Sequence, residues 1–164
     1  MTGAIVWFTG LPASGKTTLA ERLRARLAGR GVTAIVLDGD RMRDVLGAHG
    51  YGAADRDAYY GVLGRLAAAL AEQGAVVLVP ATAPRRQHRV APAGSFRFFE
   101  VWVEASLAEC EARDFKQLYA RAHRGEVADV PGLDVAFEPP LAPAVVATGG
   151  HDDAALAQLE TLLA

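Results

Sequence analysis

AIVWFT, Ala4–Thr9, runs directly into GLPASGKTTLA, Gly10–Ala20, and this junction decides the fold. Six mostly apolar residues that stop at a glycine are the pattern of a strand buried inside a parallel sheet. The next eight fit G-x-x-x-x-G-K-[ST] through Gly10, Gly15, Lys16 and Thr17. Beyond them Leu19, Leu23 and Leu27 recur every fourth residue among charged neighbours, which predicts an amphipathic helix closing near Gly29 to Gly31. Strand, glycine loop and helix in this order form a phosphate cradle: the backbone amides curl inward and the helix N-terminus favours negative charge. Gly10, Ala13, Ser14, Gly15, Lys16, Thr17 and Thr18 are therefore expected to hold the phosphates of ATP. Lys16 would bridge the β- and γ-phosphates, and the Thr17 hydroxyl would lie on Mg²⁺.

Working outward, TAIVLD (Thr33–Asp38), Ala75–Val79, Phe96–Val103 and PAVVAT (Pro143–Thr148) read as four further strands. Between them lie a short helix from Arg41 to Leu46 and a longer one. The longer helix is capped by Asp55, faced by Leu63, Leu66, Ala67 and Leu70, and stopped at Gly74. Pro84–Val90 is expected to make a short basic helix, Ser106 to cap a helix running through Arg113, and Leu156, Leu159 and Leu163 to mark a closing helix. Asp114–Pro143 mixes prolines, glycines and charges without a period, and reads as a lid. Strands alternating with helices predict a single α/β domain over 1–164. It would be a three-layer P-loop NTPase fold with a five-stranded parallel sheet and the site at the C-terminal strand ends.

Composition narrows the function classes. The 164 residues are 51% hydrophobic and 22% charged, ordinary for a globular chain. A net charge of −2 without a basic block argues against nucleic acid as the main partner. The apolar runs are too short and interrupted to span a bilayer, and a single cysteine, Cys110, allows no internal disulfide; both fit the cytoplasm.

The second chemical motif is LDGDRMR, Leu37–Arg43. Asp38 and Asp40 lie at the end of the second strand, where one carboxylate can organise magnesium or its water while the other accepts the proton of an acceptor hydroxyl. An Asp-Gly turn capping a helix is the structural alternative. No NKxD guanine-reading motif is present, which favours a kinase over a GTPase switch.

Together these residues resemble the adenylyl-sulfate kinases, which transfer the γ-phosphate of ATP to the 3′-hydroxyl of adenylyl sulfate. GLPASGKTT is similar to their P-loop, LDGDRMR to their L-D-G-D-x-x-R, Asp55-Arg56 to the D-R opening the next helix, and Pro84, Arg86 and Arg89 to P-x-R-x-x-R. EVWVEASLAECEARDFKQLYARAHRGEV, followed by PGLD and FEPP, resembles their fourth strand, helix and lid. The resemblance implies Asp40 as general base, Arg43 as a ligand to the acceptor nucleotide, Arg56 and Arg86 on the same side, Arg113 stacked on the ATP adenine, and Lys116 in a closing lid. It also implies a homodimer.

Departures gather on the acceptor side. Tyr59, Gly61 and Val62 stand where the family has an asparagine and two arginines, Ala81 and Ala83 replace an aromatic and a serine, and Val130 replaces a lid phenylalanine. Tyr59 and Tyr60 either line a rebuilt pocket or pack in the core, and Arg85, Arg86 and Arg89 remain to hold an anionic acceptor. The expected activity is ATP- and Mg²⁺-dependent phosphorylation of a hydroxyl on a small molecule, a nucleotide among the candidates, through a modified acceptor pocket. A true adenylyl-sulfate kinase and a non-catalytic nucleotide-binding protein are the alternatives.

Overall fold

The computed structural model describes residues 2–164. Five parallel strands form one sheet in the order β2-β3-β1-β4-β5. They are β1 (Ala4–Thr9), β2 (Ala34–Val36), β3 (Val76–Pro80), β4 (Arg97–Val103) and β5 (Val145–Ala147). β1 pairs with β3 on one side and β4 on the other, and all six of its residues are buried, as its unbroken apolar run requires.

Alternation along β1 sends its side chains to two separate cores. Ala4, Val6 and Phe8 pack with Leu19, Leu23 and Leu27 of α1 (Lys16–Gly29) and with Leu156, Leu159 and Leu163 of α6 (Asp153–Leu163). Ile5 and Trp7 face the other way, against Tyr59, Tyr60, Leu63 and Ala67 of α3 (Ala53–Ala71). The helices thus cover both faces of the sheet, and the loops that leave its C-terminal edge converge above β1. Leu23 is fully buried between α1 and the sheet, so Leu23→Ala should cost about 2–5 kcal/mol of stability. Urea unfolding with an unchanged m-value would check it.

Several boundaries differ from the sequence reading. α3 begins at Ala53 with Gly52 at its N-cap, so Asp55 is an acidic residue of the first turn and not the cap. α2 (Gly39–Leu46) starts two residues earlier than expected, because the Asp38 carboxylate already accepts the amides of Asp40 and Arg41. Pro84–Val90 contains only one tight 3₁₀ turn, Arg86–Arg89. Ser106 caps α4 (Leu107–Arg113) with a reciprocal bond from Glu109, as its sequence predicts. The lid is not structureless: it carries α5 (Leu118–His123), whose first turn is held by the Asp114 carboxylate on the Tyr119 and Ala120 amides.

Candidate active site

The loop from Gly10 to Gly15 joins β1 to α1 and curls because its glycines take conformations closed to most residues. Gly10 has φ 155° and Gly15 has φ 105°. A Cβ on Gly10 would fall 2.5 Å from the Val103 carbonyl oxygen, and one on Gly15 would fall 2.5 Å from the Gly150 amide nitrogen. Ala13 also adopts φ 64°, a left-handed conformation that costs an alanine about 1 kcal/mol. No side chain caps α1, so the amides of its first turn remain open to an anion. Ser14 Oγ is buried inside the loop without a hydrogen-bond partner, and Thr18 packs against Gly150.

Lys16 lies folded back over this loop, donating to the Gly10 and Leu11 carbonyls at 3.0 and 2.8 Å. Burial lowers its pKa to about 8, and the nearby Asp40 carboxylate offsets only part of that cost. Thr17 donates its hydroxyl to Asp38 Oδ2 at 2.6 Å, while Asp38 Oδ1 caps α2. Asp38 is thus the helix cap of the structural alternative, and it is also a partner of the loop threonine. Two hard oxygen donors side by side at the mouth of a phosphate loop suit Mg²⁺, which takes few protein ligands and completes its shell with phosphates and water. No cluster of three or more His, Cys, Asp or Glu is found among the described residues.

Asp40 projects from the first turn of α2 and accepts from Lys116 Nζ of the lid at 2.6 Å. The carboxylate and the ammonium are 70% and 73% exposed, so this ion pair contributes little stability and separates readily. Arg43, one turn further along α2, is 4% exposed. Its Nη1 donates to the Ala48 and Gly50 carbonyls, and its guanidinium carbon lies 4.2 and 4.1 Å from the ring centres of Tyr51 and Tyr59. Nε and Nη2 make no hydrogen bond among the described residues, which leaves one edge of the fork for an anion. Arg56, in the first turn of α3, donates from Nη2 to the Asp129 carbonyl of the lid, while its buried Nε has no partner.

The N-terminal part of the lid segment and the end of α4 lie against the phosphate loop. Tyr119 donates its hydroxyl to the Pro12 carbonyl at 2.7 Å, and Arg113 lies along the back of the loop with Nη1 3.3 Å from the Ser14 carbonyl oxygen. Tyr119, Cys110 and Val130 form a third buried cluster with Leu11, Ala13 and Leu107.

The structure thus brings Lys16, Thr17, Asp38, Asp40 and Lys116 together at the C-terminal edge of the sheet, while Arg43 and Arg56 both lie against Tyr51. Arg86, in the 3₁₀ turn, is exposed, and its Nε donates to the Pro139 carbonyl. Arg89 is unavailable to any acceptor: it is 3% exposed, pairs with Glu100 at 2.9 Å and donates to the Ala83 and Glu138 carbonyls. Val130 is 2% exposed in the lid core and does not face the acceptor space. Tyr59 and Tyr60 are core residues at 3% and 6% exposure.

Sequence reasoning overlooked Tyr51 and Tyr119. An aromatic between two glycines just before Asp55-Arg56 was a usable signal for Tyr51; nothing local marked Tyr119, whose partner lies 107 residues away.

The family model for adenylylsulphate kinase matches residues 2–148. The chain belongs to that family. It is 46% identical over 143 residues to the adenylyl-sulfate kinase of Paraburkholderia xenovorans, covering 85% of this chain and 80% of that one. It is 44% identical over 146 residues to the enzyme of the same name from Chloroflexus aurantiacus, covering 88% and 78%. Among solved structures, the Mycobacterium tuberculosis APS kinase CysC in complex with AMPPNP and APS superposes with a TM-score of 0.87 at 36% identity, covering 98% of this chain and 96% of that one. This adenylylsulphate kinase family member is an ATP-dependent phosphotransferase with a hydroxyl acceptor, and its fold is that of the P-loop kinases. No helix among the described residues is long and apolar enough to cross a membrane.

Proposed function

We propose that this protein transfers the γ-phosphate of Mg²⁺-ATP to a hydroxyl of a small anionic acceptor, with adenylyl sulfate, the acceptor of its relatives, as the compound to test first. The observation that carries this reading is the 2.6 Å pairing of Lys116 with Asp40 beside Lys16 and the Thr17–Asp38 pair. It supports a role for this carboxylate and the lid ammonium at the mouth of a phosphate cradle.

In this reading the loop amides and Lys16 hold the nucleotide phosphates, and Arg113 flanks the adenine. Thr17 and Asp38 hold the magnesium ion, which when bound neutralises charge on the β- and γ-phosphate oxygens. The free edge of Arg43 and the unpartnered Nε of Arg56 hold the acceptor's anionic group. When the acceptor enters, Lys116 releases Asp40, and the carboxylate takes the proton of the attacking hydroxyl. The acceptor oxygen forms a bond to the γ-phosphorus, the bond from that phosphorus to the bridging oxygen breaks, and ADP leaves. The closed lid keeps water from competing as acceptor.

A specific observation favours a second reading, in which the acceptor differs from adenylyl sulfate. Tyr59 spends its hydroxyl on the Gly39 carbonyl, while Ala81 and Ala83 carry no polar side chain. Two positions that would offer polar contacts in the family, those of Tyr59 and Ala83, therefore offer none here, and Ala81 offers no aromatic face. ADP release from Mg²⁺-ATP, measured with and without adenylyl sulfate and with product identification by mass, separates the readings. Acceptor-dependent ADP with a phosphorylated nucleotide product supports the first. ATP binding with no effect of adenylyl sulfate refutes it and calls for a screen of other hydroxyl compounds.

A further inference from the structure

Tyr59 occupies a position that no motif of this chain assigns to catalysis, yet three contacts meet on its side chain. Its ring lies 4.1 Å from the guanidinium carbon of Arg43, and Tyr51 flanks the same guanidinium at 4.2 Å. Its hydroxyl donates to the carbonyl of Gly39, and burial keeps that phenol protonated far above the usual tyrosine range. Gly39 is the residue between Asp38 and Asp40, and it has no room to shift toward the sheet: a Cβ there would lie 2.9 Å from Cβ of Ala81. The Asp38–Asp40 peptide is thus seated between Ala81 and the Tyr59 hydroxyl, while Asp38 itself spans the Thr17 hydroxyl and the amides of Asp40 and Arg41.

We infer that Tyr59 is a positioning residue: one side chain from α3 fixes both the acceptor-side guanidinium of Arg43 and the peptide that carries the two carboxylates. The inference rests on the phosphotransfer reading above. It explains how the loss of an aromatic at Ala81 and of an amide at position 59 can coexist with an intact pair of aspartates. The small Ala81 admits the Gly39 backbone, and the long tyrosine reaches across to hold it. A bound anion then meets an arginine whose orientation is set before binding, which lowers the ordering cost of recognition.

Tyr59→Phe keeps the ring and its packing against Tyr60 and removes only the hydroxyl. For this variant kcat of acceptor phosphorylation should fall about tenfold, with KM for ATP and acceptor within about twofold of the parent. Hydrogen exchange followed by NMR should show the Asp40 and Arg41 amides exchanging about tenfold faster, with β1 and the rest of α3 unchanged. Tyr59→Leu, which also removes the ring, should add a rise of about tenfold in acceptor KM as Arg43 loses one flank. Unchanged kcat and exchange in Tyr59→Phe would overturn the inference, as would faster exchange spread evenly along α3, the signature of simple core packing. If the parent protein ignores adenylyl sulfate, the proposed acceptor fails. The exchange of the Asp40 and Arg41 amides, read without any acceptor, still decides the role of Tyr59.

Discussion

Asp40→Asn should lower the acceptor-dependent kcat on the order of 10²- to 10⁴-fold while leaving Mg²⁺-ATP affinity and thermal stability close to those of the parent. Asparagine keeps the shape of the side chain and an oxygen for the lid ammonium, which lies 2.6 Å from the carboxylate. It cannot take a proton. Because the Lys116–Asp40 pair is largely exposed, its loss hardly changes stability, so a fall in rate cannot be blamed on unfolding. Asp38→Asn is the internal control. Asp38 bonds the Thr17 hydroxyl and caps α2, so its variant should raise the magnesium concentration needed for half-maximal rate. Single-turnover ADP formation across a magnesium series distinguishes the two carboxylates. Parent-like kcat in Asp40→Asn would remove Asp40 from the proton transfer and leave the lid pairing as its only role.

The donor side of this site was legible because its chemistry is local. The turn from Gly10 to Thr17 needs glycine at left-handed positions, a lysine and a hydroxyl at fixed offsets, and a strand and helix on either side, all within 26 residues from Ala4 to Gly29. The five strands and their parallel direction follow from the same kind of local signal, repeated between helices, whereas their order in the sheet does not. Boundaries were less legible where a side chain reaches out of its own element. The Asp38 cap starts α2 early, and the Gly52 start of α3 demotes Asp55 to the first turn. The acceptor side was harder still, because its contacts join residues far apart in the chain. Arg89 carries the right charge at the right spacing, but Glu100 and two carbonyls consume it inside the protein. Val130 and Tyr59 look from sequence like pocket positions, and each is buried by neighbours that only the folded chain supplies. A motif fixes which residue types are present; burial and partners decide which of them still face a ligand.

Lys16→Met should lower kcat/KM for ATP about 10²- to 10³-fold, since it removes a preorganised cation from the phosphates where charge moves during transfer. A sharper expectation concerns pH. In the nucleotide-free protein Lys16 is buried, and its ammonium satisfies itself on the Gly10 and Leu11 carbonyls while its pKa is lowered to about 8. Phosphates favour the protonated lysine, so binding raises that pKa. Below pH 8 the lysine is already charged and ATP affinity is at its plateau. As pH rises above 8 the free protein loses the proton that the complex must regain. Affinity should then fall by up to about tenfold per pH unit until the pKa of the complex is reached, with uptake of as much as about one proton per ATP. Calorimetric titration at pH 7 and pH 9, each in two buffers of different ionisation enthalpy, reads that uptake directly. The Met variant should bind weakly at both pH values and take up no such proton. An affinity in the parent that stays flat from pH 7 to 9, with no buffer dependence, would mean that Lys16 holds its proton through the alkaline range. The cost of its burial would then be met by neighbours such as Asp40 and Asp38, and the Asp40→Asn variant, stripped of one of them, would be the place for the pH dependence to emerge.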